Sequence, residues 1–478
     1  MLDLLQRLFT NKAFLLVTLV SAFCVNTVTA QTTPVKVRIS ILSSTAVGIQ
    51  INLNEPADSW SFRNAVAGAL GLGERVEQFQ AKNREREVGV RKLAAGEFRC
   101  DSPTESVSYV VQIAPGRPGD FAHVSWLMDE TGVLMLGDLL PESVIRAHVE
   151  LDLPEGWTVG SSLRADARNS FVVDQAERQV FLIGKDLHEA SRTIQGMDVQ
   201  IVASGRWKFN DKNVLTSAGK VLEYYVRLTG FKLANGSTIF IAPMPSSDSS
   251  AEWKAETRGA TVTLLLNRNA RIENWLPQLG VIFTHELLHL WVPNSLGLAG
   301  DYDWFFEGFT VYVALEAALR LKLIGFAEFL RTIGRVYDSY LSYEDNQSLL
   351  EASESRWTST SSVVYDKGML VALLYDLTLR QESRGQKSLA DRYRFLFGAN
   401  QSGLGNGNDV IIQTLNVSPV TEIITKSYIE SKKRIELERL LPTFGIDVQV
   451  GTADTHLNVR KPLTDEQREL LRSLGYKK

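Results

Sequence analysis

The chain is predicted to be an α+β protein, with an antiparallel β domain at the N-terminus and a largely helical region after it. Two observations predict this. Up to about residue 205, apolar and polar residues alternate with the period of half-buried strands, and turn-forming stretches such as "APGRPGD" and "LPEGW" separate the runs. Beyond that point the period changes, and apolar residues recur every three or four positions over long segments. Composition agrees: 478 residues, 44% hydrophobic and 22% charged, suit a globular chain with core enough for two or three domains.

Residues 1–30 read as an export signal rather than as structure. Arg7 and Lys12 precede the apolar run "AFLLVTLVSAFCV" (13–25), which is short for a bilayer span, and Val28 and Ala30 are the small residues of a cleavage site after Ala30. An uncleaved anchor is the alternative, and Phe23 before Cys24 argues against a lipid anchor. Cleavage implies a periplasmic or secreted chain with no stable membrane span. It also removes Cys24, so Cys100 stands alone and no internal disulfide is expected.

Strands follow at "VKVRISI" (35–41), "SYVVQI" (108–113), "VELDL" (149–153) and "MDVQIV" (197–202), giving a β domain over 31–205. In the next part, 206–345, "STIFIAPM" (237–244) and "TVTLLLN" (261–267) read as strands, and 216–228, 271–291, 303–321 and 325–341 as helices. A helical part over 346–450 contains "YDKGMLVALLYDLTLRQ" (365–381) and a Gly/Asn-rich break at 398–409, and the charged 451–478 reads as a tail. Lys and Arg number 51 against 55 Asp and Glu, mixed along the chain, so the net charge of −4 leaves no basic face for a phosphate backbone. Nucleic acid is therefore not an expected partner.

The chemistry concentrates at "FTHELLHLWVP" (283–293). His285 and His289 are four apart, so on a helix they share a face and can converge on one ion, for which zinc is the expected metal. Glu286 stands beside an open coordination position and can take a proton from a bound water. The remaining helix residues, including Leu287, Leu288 and Leu290, are apolar, so the polar trio has no other obvious partner. The bland reading is a buried helix whose polar residues are satisfied by hydrogen bonds. A third ligand must come from downstream. The other histidines, His123, His148, His188 and His456, lie far off in sequence, which leaves carboxylates: Glu307 in "WFFEGFTVY", or Asp301 and Asp303 in the loop before it. Glu307 is favoured, because a loop aspartate such as Asp303 often serves as a helix cap. Ligation by His285, His289 and Glu307 leaves one position for water, as a catalytic zinc site requires.

The motifs HELLHLW, WFFEGFTVY and YDKGMLVALLYDLTLRQESRGQKSLADRYRFLF (365–397) together resemble the glycyl aminopeptidase family of zinc metallopeptidases, which are gluzincins, over about residues 105–445. The resemblance implies one zinc per chain, a thermolysin-like catalytic domain behind the β domain, a helical C-terminal domain, and removal of N-terminal residues from peptide substrates. It also implies that Tyr365 of "YDKG" donates its hydroxyl to the oxyanion, as the tyrosine of the same pattern does in aminopeptidase N enzymes, and that Glu256 of "WKAETRGATV" binds the free amine. Departures are visible. Thr257 stands where the family motif has histidine, "VPNSLGL" lacks basic residues, seventeen residues (290–306) separate His289 from Glu307, and the residues after Val450 are too few for the usual PDZ domain. Two rival functions remain at this level: a thermolysin-like endopeptidase, or a catalytically inactive zinc-containing binding protein. Retention of Glu286 argues against the second.

Overall fold

The computed structural model describes residues 33–477 apart from 129, 235, 247–252, 270–279, 281–282, 344–345, 358–360, 400–404 and 452–453. The expected signal segment, the beginning of the 271–291 helix and part of the Gly/Asn-rich break lie outside the described residues.

The fold is α+β. Its N-terminal part is an eight-stranded sheet and a four-stranded sheet whose inward side chains share a core. In the strand Val35–Ser43 the period of two is obeyed: Val35, Val37 and Ile39 are buried while Lys36 and Arg38 face water. That strand pairs antiparallel with Ala46–Ser61 but parallel with Ala147–Asp152, so one parallel pair interrupts an otherwise antiparallel sheet.

A second sheet of five strands carries the site. Its order is Leu187–Ile194, Met197–Ser204, Ser237–Pro243, Thr261–Leu266, Trp253–Arg258, with the last strand antiparallel at the edge. The strand Met197–Ser204 thus belongs to this sheet and not to the N-terminal one, so the sheet begins at Leu187, upstream of the boundary at 205 drawn from the change of period. Alternation tells that a segment is a strand, not which sheet it joins. Ser237–Pro243 is buried along its whole length, as a central strand covered on both faces must be. Between the second and third strands runs the helix Asp211–Thr229, opened by the Asn210 side chain accepting from the Lys212 N–H and closed by Gly230 in the left-handed region.

Helices fill the remainder: Thr310–Arg320, Phe326–Leu341, Ser361–Glu382 and Leu389–Ala399 are the longer ones after the site. The segment read as a charged tail is folded. A hairpin of Ile446–Val450 and Thr455–Val459 is followed by the helix Asp465–Leu474, which buries Leu470, Leu471 and Leu474 and turns its charges to solvent. Arg380, buried among acids, ties this end to the core. It donates to Glu316 at 2.7 Å, to Asp376 at 2.8 Å and to the Ser473 carbonyl at 2.8 Å. No described helix is long and apolar enough to cross a membrane.

Candidate metal centre

The helix over 283–289 is held from beneath. The Tyr225 hydroxyl donates to the Thr284 carbonyl at 2.7 Å, and the Trp291 indole N–H donates to the Phe231 carbonyl at 2.9 Å. Phe283, Leu287, Leu288 and Leu290 are buried, while His285, Glu286 and His289 line a cavity of about 210 Å³. Glu307 comes from the facing helix. Residues Trp304–Phe309 form a π-helical turn that runs into Thr310–Arg320, a widening that re-aims side chains and is frequent at functional sites.

The three expected ligands meet. His285 Nε2 and His289 Nε2 are 3.0 Å apart, and each approaches Glu307 Oε2, at 3.3 and 3.4 Å. Donors on a tetrahedral zinc with bonds of ~2.0–2.1 Å stand about 3.3 Å from one another. The set therefore fits zinc almost as it stands. Among the described residues it is the group of His, Cys, Asp or Glu able to hold a metal. Glu307 Oε2 is buried and lacks a hydrogen-bond partner, a costly state for a carboxylate oxygen unless a cation lies beside it.

The outer nitrogens of the two imidazoles are spoken for. His289 Nδ1 donates to the Val292 carbonyl at 2.8 Å, and His285 Nδ1 lies 3.3 Å from the Thr310 hydroxyl, whose own proton goes to a main-chain carbonyl. Both Nε2 lone pairs are thereby left for the ion. In the metal-free cluster, burial pulls His289 down, but the Glu307 carboxylate outweighs it and brings the imidazole up to about 9. Burial raises Glu307, and His289 and Arg356 more than reverse that, holding it well below the usual carboxylate range.

Around the ligands stand the other expected residues. Glu286 Oε2 accepts a hydrogen bond from the Thr257 hydroxyl at 2.9 Å, an oxygen that also lies 2.9 Å from the Glu286 carbonyl. The threonine in the place of the family histidine thus touches the expected base directly. Glu256 lines the same cavity, on the edge strand. Its carboxylate is engaged at both oxygens, by Arg258 Nε at 2.6 Å and by His123 Nδ1 at 2.6 Å. Burial raises its pKa, and these two partners override the effect and lower it. Tyr365 also lines the cavity, and burial holds its phenol well above the usual range, so the hydroxyl keeps its proton.

The "YDKG" motif has a packing role as well. Gly368, one turn after Tyr365, lies against Gly308, next to Glu307: a Cβ on Gly308 would meet Gly368 Cα at 2.5 Å and the Val364 carbonyl at 2.6 Å. The two helices touch backbone to backbone, which brings the tyrosine to the metal cluster. Lys367 of the motif is fully buried, with Nζ donating to the Gln347 carbonyl at 3.0 Å.

Asp301 is exposed and outside the cluster. Asp303 makes no side-chain cap, contrary to the sequence reading, and instead accepts from Arg356 Nη1 at 2.6 Å. The sequence reading passed over Arg356, which joins Asp303, Glu307 and Tyr365, and His123, which the β domain contributes. Neither carries a motif. Ala67, at the turn of the hairpin Ala65–Leu70 with φ 49°, brings the β domain to the cavity at a second point.

No protein-family profile matches the chain, and no curated protein is similar to it in sequence. Solved structures are similar in fold. An aminopeptidase N family protein from Idiomarina loihiensis superposes with a TM-score of 0.76 at 18% identity, over 87% of this chain and 79% of that one. The M1 zinc metallopeptidase of Deinococcus radiodurans gives 0.53 at 13% identity, over 84% and 94%. A mutant of the latter enzyme, bound to a Tyr-Ser-Ala substrate, gives 0.54 at 11% identity over the same shares. The chain has the fold of the M1 zinc metallopeptidases. That likeness agrees with the gluzincin resemblance carried by HELLHLW and WFFEGFTVY.

Proposed function

We propose that the chain is a zinc-dependent peptidase that removes N-terminal residues from peptides, exported to the periplasm or beyond by a signal cleaved after Ala30. The observation that carries this is the gathering of the His285, His289 and Glu307 donors with Glu286 and Tyr365 on the wall of one cavity. The fold shared with zinc metallopeptidases, one of them bound to a tripeptide substrate, supports a peptide as the substrate.

His285, His289 and Glu307 would hold the zinc, one per chain, which when bound acidifies a water and polarises the scissile carbonyl. Glu286, steadied by Thr257, takes the proton of the attacking water and passes it to the leaving amine. Tyr365, kept protonated by its buried setting, donates its hydroxyl to the oxygen that gains charge. Glu256 receives the α-amine at the end of the cleft where His123 and Ala67 of the β domain close in. The cavity there is about 210 Å³.

One observation favours a second reading, an endopeptidase. Arg258 and His123 already occupy both oxygens of Glu256, which weakens its pull on a cationic amine. Two measurements decide. Glu286→Gln should keep its zinc and lose about two to four orders of magnitude in hydrolysis; near-normal turnover would sink the mechanism. Free aminoacyl substrates should be cleaved and their N-acetylated forms spared, and equal cleavage of both would give the endopeptidase reading the field.

A further inference from the structure

We infer that Arg356 makes Glu307 a one-oxygen metal ligand and at the same time aims the proton of Tyr365, so that one side chain positions both groups. The inference rests on the zinc peptidase reading. Arg356 Nη2 donates to Glu307 Oε1 at 2.7 Å and to the Tyr365 hydroxyl oxygen at 2.7 Å, one hydrogen for each. The oxygen claimed on Glu307 is the one turned away from the histidines; Oε2, the one facing them, has no hydrogen-bond partner. A carboxylate whose outer oxygen is held by a guanidinium would be disfavoured from closing on a metal with both oxygens, which would leave a coordination position for water.

The effect on Tyr365 follows from donor logic. A guanidinium can only donate, so the phenol oxygen must accept from it, and the phenol hydrogen points away from Arg356. Left alone, a tyrosine beside a carboxylate would donate to that carboxylate. Arg356 occupies one lone pair of Oε1 and competes with the phenol for that oxygen, which weakens the pull of Glu307 on the phenol hydrogen and favours its donation to a substrate oxygen. The arginine is itself held. Nη1 donates to Asp303 at 2.6 Å, the Trp357 ring lies 4.1 Å from the guanidinium carbon, and the side chain is 8% exposed. Asp303 supplies the countercharge, so orientation of Glu307 is not bought with net positive charge beside the ion.

The plain alternative is an arginine that only neutralises two buried carboxylates. Lysine separates the two, because it carries the charge but lacks the planar fork that reaches Asp303, Glu307 and Tyr365 together. The experiment uses full mature chains of Arg356→Lys and Arg356→Met. For Arg356→Lys, zinc affinity by chelator competition should fall about 10- to 100-fold, the usual loss when a ligand's hydrogen-bonding partner goes. The visible absorption of its cobalt(II) form should weaken, as a rise in coordination number requires when Glu307 closes with both oxygens. Tyr365→Phe should cost at least tenfold less in kcat in the Arg356→Lys background than in the wild type, with KM little changed. Zinc affinity within threefold of wild type, an unaltered cobalt spectrum and independent, multiplying effects of the two substitutions would overturn the inference. If Arg356→Met fails to fold, Arg356→Lys decides. A wild type that binds zinc but cleaves no peptide would defeat the functional reading, while the affinity and cobalt measurements still judge Arg356.

Discussion

Replacing Gly368 by alanine tests how closely the helices that bear Glu307 and Tyr365 must approach. The new Cβ would stand 2.8 Å from the Trp304 carbonyl oxygen and 2.9 Å from Gly308 Cα. Ordinary contacts between such atoms are ~3.5–4.0 Å, so one helix must retreat by about 0.6–1.2 Å. Both obstacles are backbone, and no side chain can swing aside. Overpacking of this kind costs ~1–3 kcal/mol, which at ~2–4 °C per kcal/mol for a large domain lowers the thermal midpoint by several degrees. The retreat also reaches the chemistry, because Tyr365 sits one turn from Gly368 on the same helix face. Misplacing a reacting group by ~1 Å costs on the order of 100-fold in rate. Gly368→Ala should therefore lose about 10- to 100-fold in kcat on a peptide substrate. Zinc content should fall less, since His285 and His289 lie on another helix. Scanning fluorimetry and steady-state hydrolysis read the two effects; a variant with wild-type midpoint and turnover would refute the packing argument.

Two further outcomes follow from the same geometry. Thr257→Val keeps the shape but removes the hydroxyl 2.9 Å from Glu286 Oε2; a charge-assisted hydrogen bond of ~1.5–3 kcal/mol predicts about a 10- to 100-fold loss in kcat with zinc retained, and undiminished turnover would leave Thr257 a packing residue. His289 gives a pH effect whose sign is definite. Its pKa in the metal-free fold is raised to about 9, above the unfolded value of ~6.5, so the stability it lends the apoprotein is full below ~6.5 and is lost as pH rises through about 9. Zinc must displace that proton. Calorimetric zinc titration at pH 7.5, in buffers of different ionisation enthalpy, should show between about one and two protons released per ion, one from His289 and the rest from the bound water, and release of less than one would contradict the raised pKa.

Much of the metal cluster is legible in the sequence for a covalent reason. The pitch of a helix places residues four apart on one face, so "HELLH" commits His285 and His289 to a common target once the segment is helical. Glu307 is legible because it is the lone acid in "WFFEGF". Arg356 is different. It lies 49 residues from Glu307 and meets it only through tertiary packing, and nothing in "ESRW" marks the arginine as buried. The sheet that Met197–Ser204 joins is set by its neighbour Ser237–Pro243, a parallel pairing that local alternation cannot express. In the final segment, the density of charge hides Leu470, Leu471 and Leu474, whose spacing is that of a helix with one apolar stripe.

Glu256 joins the two halves of the chain at the point where a substrate would end. An unpaired carboxylate there would attract any cation, but Arg258 already compensates its charge, and the Arg258 guanidinium also donates to the His123 carbonyl at 2.7 Å. The edge strand and the β domain are thus pinned together by the same groups that surround the carboxylate. A carboxylate offers about four lone-pair sites, of which two are used, so acceptors remain for an amine although the net charge is spent. Recognition of an amine at such a place depends on geometry more than on attraction: the donors must fit the remaining lone pairs, and the wall formed by His123 and Ala67 must leave no path for a longer chain. An acetyl group would fail on both counts, since it leaves one N–H of the three and adds bulk at the wall. If the chain acts as proposed, the β domain is part of the site, and the choice between free and blocked peptides would be made where it meets the edge strand.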